Sequence, residues 1–369
     1  MPDAKIRIGM IGCGQIAQHH MRTYAPMTDS VQMVACCDVN EEAAKKSAAE
    51  FKIPHTYTDF RKMLQRDDLD AIDVCLHNNF HRPATEAALQ AGKHVYCEKP
   101  MAGSYADAAA MLATARKCKK KLSIQLSTLF AKETRAAKEL IRSGALGDLY
   151  FARSTGFRRR GRPYVDGYGS PTFVQKKNSA GGALYDMGVY HIAQILYLLG
   201  NPKVERVSGR IYQKTDMDTK RRRLSGYNVE ELGMGFVRCA DDISIDIIES
   251  WAIHLDSFEG SFVVGNKGGV RLNPFGFFHS AGHLDLNASA NLDSAAFRWN
   301  NVQCDGHLYA NPQAHWIAAL QGKVKLIPTA EIALNTMLIS EAIFLSSARG
   351  CEVTAEEVKE SSKSTAVTM

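Results

Sequence analysis

Residues 5–20 read KIRIGMIGCGQIAQHH, and this stretch decides the fold of the first third of the chain. The apolar run 6–11 is typical of a strand buried on both faces of a parallel sheet. The glycine-containing segment 12–14 predicts a tight turn, and the apolar spacing over 15–24 predicts a helix. A strand that passes through a glycine turn into a helix is the first unit of an alternating β/α sheet.

The glycine turn has the spacing G-x-G-x-x-A, which predicts a site for a dinucleotide. Gly12 permits the tight turn, and Gly14 lets the backbone approach a pyrophosphate at the helix N-terminus, where Gln15 and Ile16 begin. Ala17 takes the third small position, which lets the helix pack closely on the strand. Because glycine turns are common in proteins, this motif needs support from the rest of the chain.

Support comes from Asp38, which ends a second predicted strand, VQMVACCD. An acid at this distance accepts hydrogen bonds from the adenosine ribose hydroxyls and would repel a 2′-phosphate. The next residues, Val39 and Asn40, offer no arginine for that phosphate, so we expect NAD in preference to NADP. The alternative interpretation is that Asp38 caps the helix predicted over NEEAAKKSAAEF.

Three more predicted strands, DAIDVCL, KHVYCEKP and KLSIQLST, alternate with two helices, which predicts a doubly wound parallel sheet. Ligands of such sheets bind beyond the carboxyl ends of the strands. Asn78 and His81 follow one strand end, and Glu98 and Lys99 end the next, so we expect them at the dinucleotide cleft. His77 and His81 stand four residues apart, but no third ligand accompanies them, so we predict no metal site.

The segment HVYCEKP holds Lys99 on a stiff stretch of backbone. Pro100 ends the strand and restricts the residue before it to extended or turn geometry. We expect a cis bond between Lys99 and Pro100, with the ammonium group aimed at the nicotinamide end of the dinucleotide. The alternative is a surface pair of Glu98 and Lys99 beside a strand end.

The whole chain has 369 residues, 45% of them hydrophobic and 23% charged, which suits two globular domains. We predict a dinucleotide-binding domain over 1–126 and a second domain over 127–369 for substrate binding and oligomerisation. The net charge of +6 is mild, and the basic runs 157–163 (FRRRGRP) and 219–224 (TKRRRL) are too short for a nucleic-acid surface. We expect solvated loops for both, the first with an acidic or phosphorylated substrate as the alternative.

The sequence also predicts the compartment. The chain opens directly into a strand pattern without a secretory signal, and no apolar run reaches membrane-spanning length. Its nine cysteines are scattered and include no C-x-x-C pair, as is usual for reduced thiols that act as small apolar residues. We therefore expect a cytoplasmic protein that binds neither membranes nor nucleic acid.

After RSGALGDL the pattern changes to long alternating strands separated by turns, which predicts a mostly antiparallel sheet. These strands are YFARSTGF, KVERVSGRIYQ, EELGMGFVRC, ISIDIIESWAIHL and FEGSFVVGNKGGVRL. Between the first two lies GGALYDMGVYHIAQILYLLG, a glycine turn that opens an amphipathic helix.

That helix carries three polar residues, Asp186, Tyr190 and His191. Asp186 and Tyr190 share a face, whereas an α-helix rotates His191 by about 100° from Tyr190. We therefore expect that the two cannot point equally well at the nicotinamide. We predict that Tyr190 meets the reacting hydroxyl and that His191 contacts the flank of the substrate. The alternative is that Asp186 caps a turn and that the other two are satisfied core residues.

The segments IGCGQIA, AGKHVYCEKP and GGALYDMGVYHI, in this order and spacing, resemble the three signatures of the Gfo/Idh/MocA oxidoreductase family. The similarity covers nearly the whole chain, including SGALG and the terminal helix AEIALNTMLISEAIFLSSARG. The resemblance implies an N-terminal Rossmann domain, a C-terminal open-faced α+β sheet and an active site in the cleft between them. It also implies NAD or NADP, a sugar or polyol substrate, and a homodimer or homotetramer paired through the open sheet.

The resemblance also implies roles for single residues. Lys99 resembles the family's active-site lysine, Glu98 the residue that holds the nicotinamide ribose, and Asp186 the acid that positions the substrate. Many members place a histidine four residues after that aspartate, where this chain has Tyr190, with His191 one position further on. The implied reaction is the oxidation of a secondary hydroxyl or its reverse, in which Lys99, Tyr190 and His191 share the proton transfer.

Two other functions stay open at this point. Some family members keep NAD bound and oxidise a sugar hydroxyl transiently to cleave a glycosidic bond, with no net redox change. The second is that of a non-catalytic, dinucleotide-sensing regulator, which has no need to retain Lys99 and Asp186 together.

Overall fold

The computed structural model of the protein describes residues 5–368. The strands of the first sheet are β1 (Ile6–Ile11), β2 (Val31–Cys37), β3 (His55–Tyr57), β4 (Ala71–Val74), β5 (His94–Cys97) and β6 (Leu122–Ile124). The helices between them are α1 (Gln15–Tyr24), α2 (Glu41–Phe51), α3 (Phe60–Leu64), α4 (Asn78–Gln90) and α5 (Tyr105–Lys117). All neighbouring strands are parallel, in the order β3-β2-β1-β4-β5-β6. The doubly wound sheet expected from the sequence is confirmed.

A second sheet follows in the chain. Its strands are β7 (Leu149–Phe157), β8 (Val204–Tyr212), β9 (Leu232–Cys239), β10 (Ser244–Ser250), β11 (Phe262–Gly265), β12 (Gly268–Arg271), β13 (Gly276–Ala281), β14 (Leu284–Ala288) and β15 (Val353–Thr354). Their order is β14-β13-β12-β11-β7-β10-β9-β8-β15. Only β7 and β10 pair in parallel, so the sheet is mostly antiparallel, as predicted.

The helices of this half of the chain flank the second sheet and the junction between the sheets. They are α6 (Lys132–Arg142), α7 (Lys176–Ser179), α8 (Val189–Leu198), α9 (Thr219–Ser225), α10 (Leu292–Asn301), α11 (Pro312–Leu320), α12 (Thr329–Arg349) and α13 (Ala355–Ser361). Short 3₁₀ turns cover Ser127–Phe130, Pro171–Val174 and Gly306–Tyr309, and a π turn covers Leu184–Gly188.

Two local predictions are wrong. The segment FEGSFVVGNKGGVRL is not one strand but the hairpin β11–β12, because Asn266 and Lys267 lie at the turn between them. The run TKRRRL is the exposed helix α9 instead of a loop, since Asp218 caps it through the backbone N–H of Arg221 and Gly226 ends it in the left-handed conformation.

The long helix α12 packs across β8 and β9. Gly209 on β8 is paired with Gly235 on β9, and a Cβ on either would lie 3.0 Å or less from the side chain of Ile343 on α12. The two glycines therefore let the helix approach the sheet closely, which buries the middle of α12.

Helix α11 lies in the range predicted for the second domain, but it packs on the first sheet. Trp316 of α11 is buried against Tyr96 of β5, with ring centres 5.8 Å apart, and Ile317 joins the same apolar cluster. Lys121, beside β6, also donates a hydrogen bond to the carbonyl oxygen of Ala319. A late segment of the chain thus completes the core of the first sheet.

Within residues 5–368, none of the helices has the length and hydropathy needed to cross a membrane. All nine cysteines carry free thiols.

Candidate active site

The glycine turn between β1 and α1 is shaped to receive an anionic group. Gly12 has φ +98°, and a Cβ there would lie 2.2 Å from the carbonyl oxygen of Cys75. A Cβ on Gly14 would meet nothing within 4 Å, and no side chain caps the first turn of α1. Gln15 and Ile16 begin that turn and are exposed, so its N–H groups and the positive end of the helix dipole lie open. The turn fits the pyrophosphate of a dinucleotide.

Asp38 lies directly beside this turn, after the end of β2. Its carboxylate accepts hydrogen bonds from the backbone N–H groups of Cys13 (2.8 Å) and Asn40 (2.9 Å). Asn40, rather than Asp38, caps α2 and accepts from the backbone of Glu42 and Ala43. The helix-cap interpretation of Asp38 is therefore wrong, and its carboxylate is tied to the glycine turn.

Asn78 and His81, both on α4, have different surroundings. The side-chain amide of Asn78 donates to the carbonyl oxygen of Ser179 (2.7 Å), which links the first sheet to the segment before Asp186. His81 is fully buried, and its ring nitrogens lie 2.7 Å and 2.9 Å from the carbonyl oxygens of Pro100 and Leu76. His81 is therefore buried against two strand ends and is not exposed at the cleft, contrary to expectation. Burial lowers the pKa of His81, so the neutral ring donates to one of the two carbonyl oxygens.

Lys99 follows β5 and reaches across the cleft to the second domain. Its bond to Pro100 is cis, as expected. The ammonium group donates to the backbone oxygen and to a carboxylate oxygen of Asp186, both at 3.0 Å, and lies 4.8 Å from the centre of the Tyr190 ring. Burial opposes the charge, but Asp186, Tyr190 and Glu98 together outweigh burial and raise the pKa of Lys99 above its usual value. At neutral pH, Lys99 is a cation and a hydrogen-bond donor.

Asp186 is held from several sides. Its second carboxylate oxygen accepts from the indole nitrogen of Trp251 (3.1 Å) and lies 3.7 Å from the guanidinium of Arg158. Burial raises the pKa of this carboxyl, but Lys99, Arg158 and Trp251 together outweigh burial, and the net pKa is lowered. Asp186 is therefore an ionised acceptor in a fixed position, which suits the binding of hydroxyl groups.

A buried acid, Glu230, anchors the backbone that carries Asp186. Its carboxylate accepts from the N–H groups of Gly182 (2.7 Å) and Leu184 (3.0 Å). A Cβ on Gly182 would lie 1.9 Å from the carbonyl oxygen of Glu230, so the glycine is needed for this close approach. Burial raises the pKa of Glu230 to about 7.

The π turn at Leu184–Gly188 changes which side chains face the cleft. A π turn bonds residue i to residue i+5, so the α-helical rotation assumed between Asp186 and Tyr190 or His191 does not apply. The rotation between Tyr190 and His191 is still α-helical, because both lie in α8. Asp186, Tyr190 and His191 all line one cavity of about 720 Å³. Both residues thus line the site, and which of the two meets the reacting hydroxyl stays a prediction.

His191 is paired with a second buried acid, Glu249 of β10. The Nδ1 of His191 donates to a carboxylate oxygen of Glu249 at 3.0 Å, and the hydroxyl of Ser154 donates to the other oxygen at 3.0 Å. A Cβ on Gly156 would lie 2.0 Å from Glu249, so this glycine makes room for the pair. Burial lowers the pKa of His191, but the Glu249 carboxylate outweighs burial and raises it. Since Nδ1 is committed to the carboxylate, Nε2 is the nitrogen that can exchange a proton.

Glu249 belongs to no motif that the sequence singles out. Glu249 lies in register with the buried Ile245 and Ile247 along β10, on the apolar face of the strand. An acid in that position needs a partner, and this was the available signal in ISIDIIESWAIHL.

In the basic run 157–163, Arg159 and Arg160 are exposed, as expected for a solvated loop, whereas Arg158 is half-buried and Arg162 is buried. Arg158 lines the cavity and donates a hydrogen bond to the hydroxyl of Tyr168. Arg162 is only 2% exposed and pairs with Asp166 (2.9 Å) and Glu231 (3.0 Å). The first arginine belongs to the site, and the second belongs to a buried ion-pair network.

Comparisons with known proteins cover both sheets. The family model described as "Oxidoreductase family, NAD-binding Rossmann fold" matches residues 6–126, and the model "GFO/IDH/MocA C-terminal domain" matches residues 134–271. D-glucoside 3-dehydrogenase of Escherichia coli is 28% identical over 360 residues, which cover 96% of this chain and 98% of that protein.

Two further likenesses agree. D-apiose dehydrogenase of Paraburkholderia graminis is 24% identical over 357 residues, which cover 92% of this chain and 87% of that protein. The crystal structure of an oxidoreductase domain protein from Kribbella flavida has a TM-score of 0.79 at 19% identity, and the match covers 95% of this chain and 99% of that one. The two-sheet fold is therefore shared along almost the full length.

Proposed function

The chain belongs to the Gfo/Idh/MocA family of NAD-binding oxidoreductases, and on this premise we propose that it oxidises, reversibly, a secondary hydroxyl of a sugar, a sugar derivative or a cyclic polyol. The observation that carries the proposal is the meeting in one cleft of two pairs, Lys99 with Asp186 and His191 with Glu249. NAD supplies the hydride acceptor for such a reaction when it is bound. Asp38 and Glu98 would hold its two ribose units, and the glycine turn its pyrophosphate.

Lys99 and Asp186 orient the reacting carbon. Lys99 remains protonated, so it donates a hydrogen bond to the hydroxyl oxygen and stabilises negative charge as the proton leaves. Asp186 is ionised and accepts from a neighbouring hydroxyl of the substrate. Trp251 and Lys99 hold the two carboxylate oxygens, and each oxygen keeps a lone pair for the substrate.

His191 is the better candidate to carry the proton. Glu249 fixes its tautomer and leaves Nε2 to accept the hydroxyl proton, the arrangement of an oriented general base. For Tyr190, burial raises the pKa and the Lys99 ammonium only partly opposes that rise. A phenol that stays protonated donates hydrogen bonds but is a poor base, so we assign Tyr190 to substrate binding.

The cavity volume supports a substrate larger than a single sugar ring. About 720 Å³ is available, within the range typical of sites for drug-sized molecules. One part of the lining is apolar, through Phe157, Phe258 and Leu272, and another is polar, through Thr128, Glu133 and Gln194. A glycoside has both a hydroxylated ring and an aglycone for such a cavity, in accord with the glucoside dehydrogenase named among the relatives.

The test is a substrate screen with the purified protein and NAD. Monosaccharides, methyl and aryl glucosides and cyclitols are compared, and NADH absorbance and aglycone release are followed together. We expect NADH formation with glucosides. Lys99→Met is the control, because it keeps a side chain of similar length and removes the charge; we expect it to lower turnover by about two to four orders of magnitude while it still binds NAD.

Two outcomes would contradict the proposal. Near-normal turnover in a folded Lys99→Met variant would reject the role of Lys99. Aglycone release without any accumulation of NADH would indicate the NAD-retaining cleavage of glycosides instead.

A further inference from the structure

A fully buried histidine, His20 of α1, lies between two acids beneath the cleft. Its Nδ1 lies 2.9 Å from a carboxylate oxygen of Asp73 on β4, and its Nε2 lies 2.9 Å from a carboxylate oxygen of Glu98. An ionised carboxylate only accepts hydrogen bonds, so both ring nitrogens must donate. The geometry therefore describes an imidazolium that bridges two carboxylates.

The groups around His20 support this charge state. Those that face the ring are Asp73 and Cys75 from β4, Tyr24 from α1, and Tyr96 and Glu98 from β5 and its end. The Tyr24 hydroxyl and the Cys75 thiol both donate to Asp73, at 3.0 Å and 3.3 Å. Burial opposes the charge of His20, but Asp73 and Cys75 together outweigh burial and raise the pKa of His20 well above its usual value.

The cluster is satisfied internally. His20, Asp73 and Cys75 are residue types that bind metals, and their ligand atoms lie within 4.8 Å of one another. However, these atoms are hydrogen-bonded among themselves, and each such bond would have to be given up to an ion. The arrangement is better explained by what it does to Glu98.

Glu98 is held on both oxygens. One accepts from His20, and the other accepts from the backbone N–H of Lys99 at 2.9 Å. Burial would raise the pKa of Glu98, but the hydrogen bond and charge of His20, together with the ammonium and backbone N–H of Lys99, outweigh burial and lower it. Held in this way, the Glu98 carboxylate keeps one lone pair on each oxygen for a further donor. The hydrogen bond from the Lys99 N–H also fixes the backbone of Lys99.

We propose that His20 is a positioning residue for the dinucleotide: as an imidazolium between Asp73 and Glu98, it keeps Glu98 ionised and oriented to accept the hydroxyls of the nicotinamide ribose. The inference rests on the proposed role of Glu98 in binding that ribose. No side-chain atom of His20 reaches the cleft, so its effect passes entirely through Glu98.

The first experiment reads the charge of His20 without any cofactor. The nitrogen chemical shifts of the imidazole are recorded by NMR from about pH 5 to about pH 9, the range in which an ordinary histidine loses its proton, and His20→Gln identifies the signal. We expect both nitrogens to stay protonated throughout. A ring that becomes neutral below about pH 8 would overturn the proposal, since a neutral ring can donate to only one of the two acids.

The second experiment measures NADH affinity by nicotinamide fluorescence in His20→Gln, Glu98→Gln and the double variant. We expect each single variant to bind NADH about ten- to a hundredfold more weakly, the size usual when an outer partner of a binding group is lost. The double variant should be no weaker than the weaker single variant, because both changes remove the same function.

Tyr24→Phe is the matched control. It also removes a buried hydrogen bond to Asp73 but does not touch Glu98, so we expect a lower melting temperature with an NADH affinity within about twofold of the original. If Tyr24→Phe lowers the NADH affinity as much as His20→Gln does, the effect of His20 is explained by packing alone and the proposal is overturned. If Glu98→Gln lowers the NADH affinity but His20→Gln leaves it unchanged, this inference alone is overturned. If Glu98→Gln also leaves the NADH affinity unchanged, the proposed ribose site is overturned and the inference with it.

Discussion

His191 and Glu249 set the pH at which a hydroxyl can lose its proton in this site. Glu249 raises the pKa of His191, and the neutral imidazole is the form that accepts a proton. Turnover in the direction of hydroxyl oxidation should therefore rise as the pH rises through that raised pKa. In Glu249→Gln the carboxylate is gone and burial lowers the pKa, so we expect the rising limb of kcat/KM to move to lower pH.

Tyr190→Phe is the matched comparison for this pH profile. Because we assign Tyr190 to hydrogen bonding, its loss should raise KM and leave the limb in place. If the rising limb of kcat/KM against pH moves in Tyr190→Phe but not in Glu249→Gln, Tyr190 rather than His191 transfers the proton.

Asp38 makes a prediction about the cofactor. Its carboxylate lies beside the glycine turn, where a 2′-phosphate would meet a negative charge, so we expect tighter binding of NADH than of NADPH. Asp38→Ser should make the two affinities more similar, because it weakens the binding of NADH and removes the negative charge that repels NADPH. Fluorescence titration with NADH and NADPH measures both affinities. Equal affinities in the unmodified protein would contradict the role of Asp38 in selecting NAD.

Residue by residue, the sequence predicts side chains whose chemistry is visible in a short motif. Lys99 and Asp186 stand in such motifs and meet at 3.0 Å. Glu249 does not, because its partner His191 lies 58 residues earlier and is reached only once the sheet has formed. The burial of Arg162 is not predictable from the local sequence for the same reason, since its partner Glu231 lies at the end of another strand.

At the scale of single elements, the segment that carries Asp186 depends on Glu230. The pKa of Glu230 is raised from 4.5 to about 7, so the folded protein binds more protons than the unfolded chain in this interval. The stability contribution of Glu230 is therefore fully present below about pH 4.5 and is lost as the pH rises through about 7. We expect Glu230→Gln to flatten this part of the curve of melting temperature against pH.

The same variant should also lower the melting temperature. Gly182 and Leu184 donate to different carboxylate oxygens of Glu230. In Glu230→Gln one of these oxygens is replaced by an NH2 group, which cannot accept, and one buried donor left unpaired costs about 1–3 kcal/mol. The exposed Glu42→Gln is the control, for which we expect neither change. An unchanged pH dependence in Glu230→Gln would show that another group titrates.

The sequence predicts that a helix follows Gly182, but not that its first turn is a π turn. The apolar spacing over 189–198 is the same for either geometry. The choice is made by contacts from outside the helix, because Glu230 accepts from the N–H groups of Gly182 and Leu184 and Lys99 donates to the carbonyl of Asp186. Local patterns do not report such contacts.

Across the whole molecule, one face of the second sheet is exposed along β9. Helix α12 covers the other face, whereas Met234 and Phe236 of β9 are 38% and 40% exposed. We expect two copies of the chain to pair through this face. Phe236→Glu should shift the mass measured by light scattering toward the monomer, whereas Phe297→Glu, on the more exposed α10, should not. A monomer in the unmodified protein would contradict this prediction.

The position of Trp316 bears on the order in which the protein is made. A ribosome delivers the six strands of the first sheet early, yet the aromatic ring that seals the sheet over Tyr96 is translated about two hundred residues later. Until then, the nascent dinucleotide domain exposes an unsealed apolar surface. The second domain is therefore synthesised while the first is still unfinished, and the two mature together after the last third of the chain has emerged.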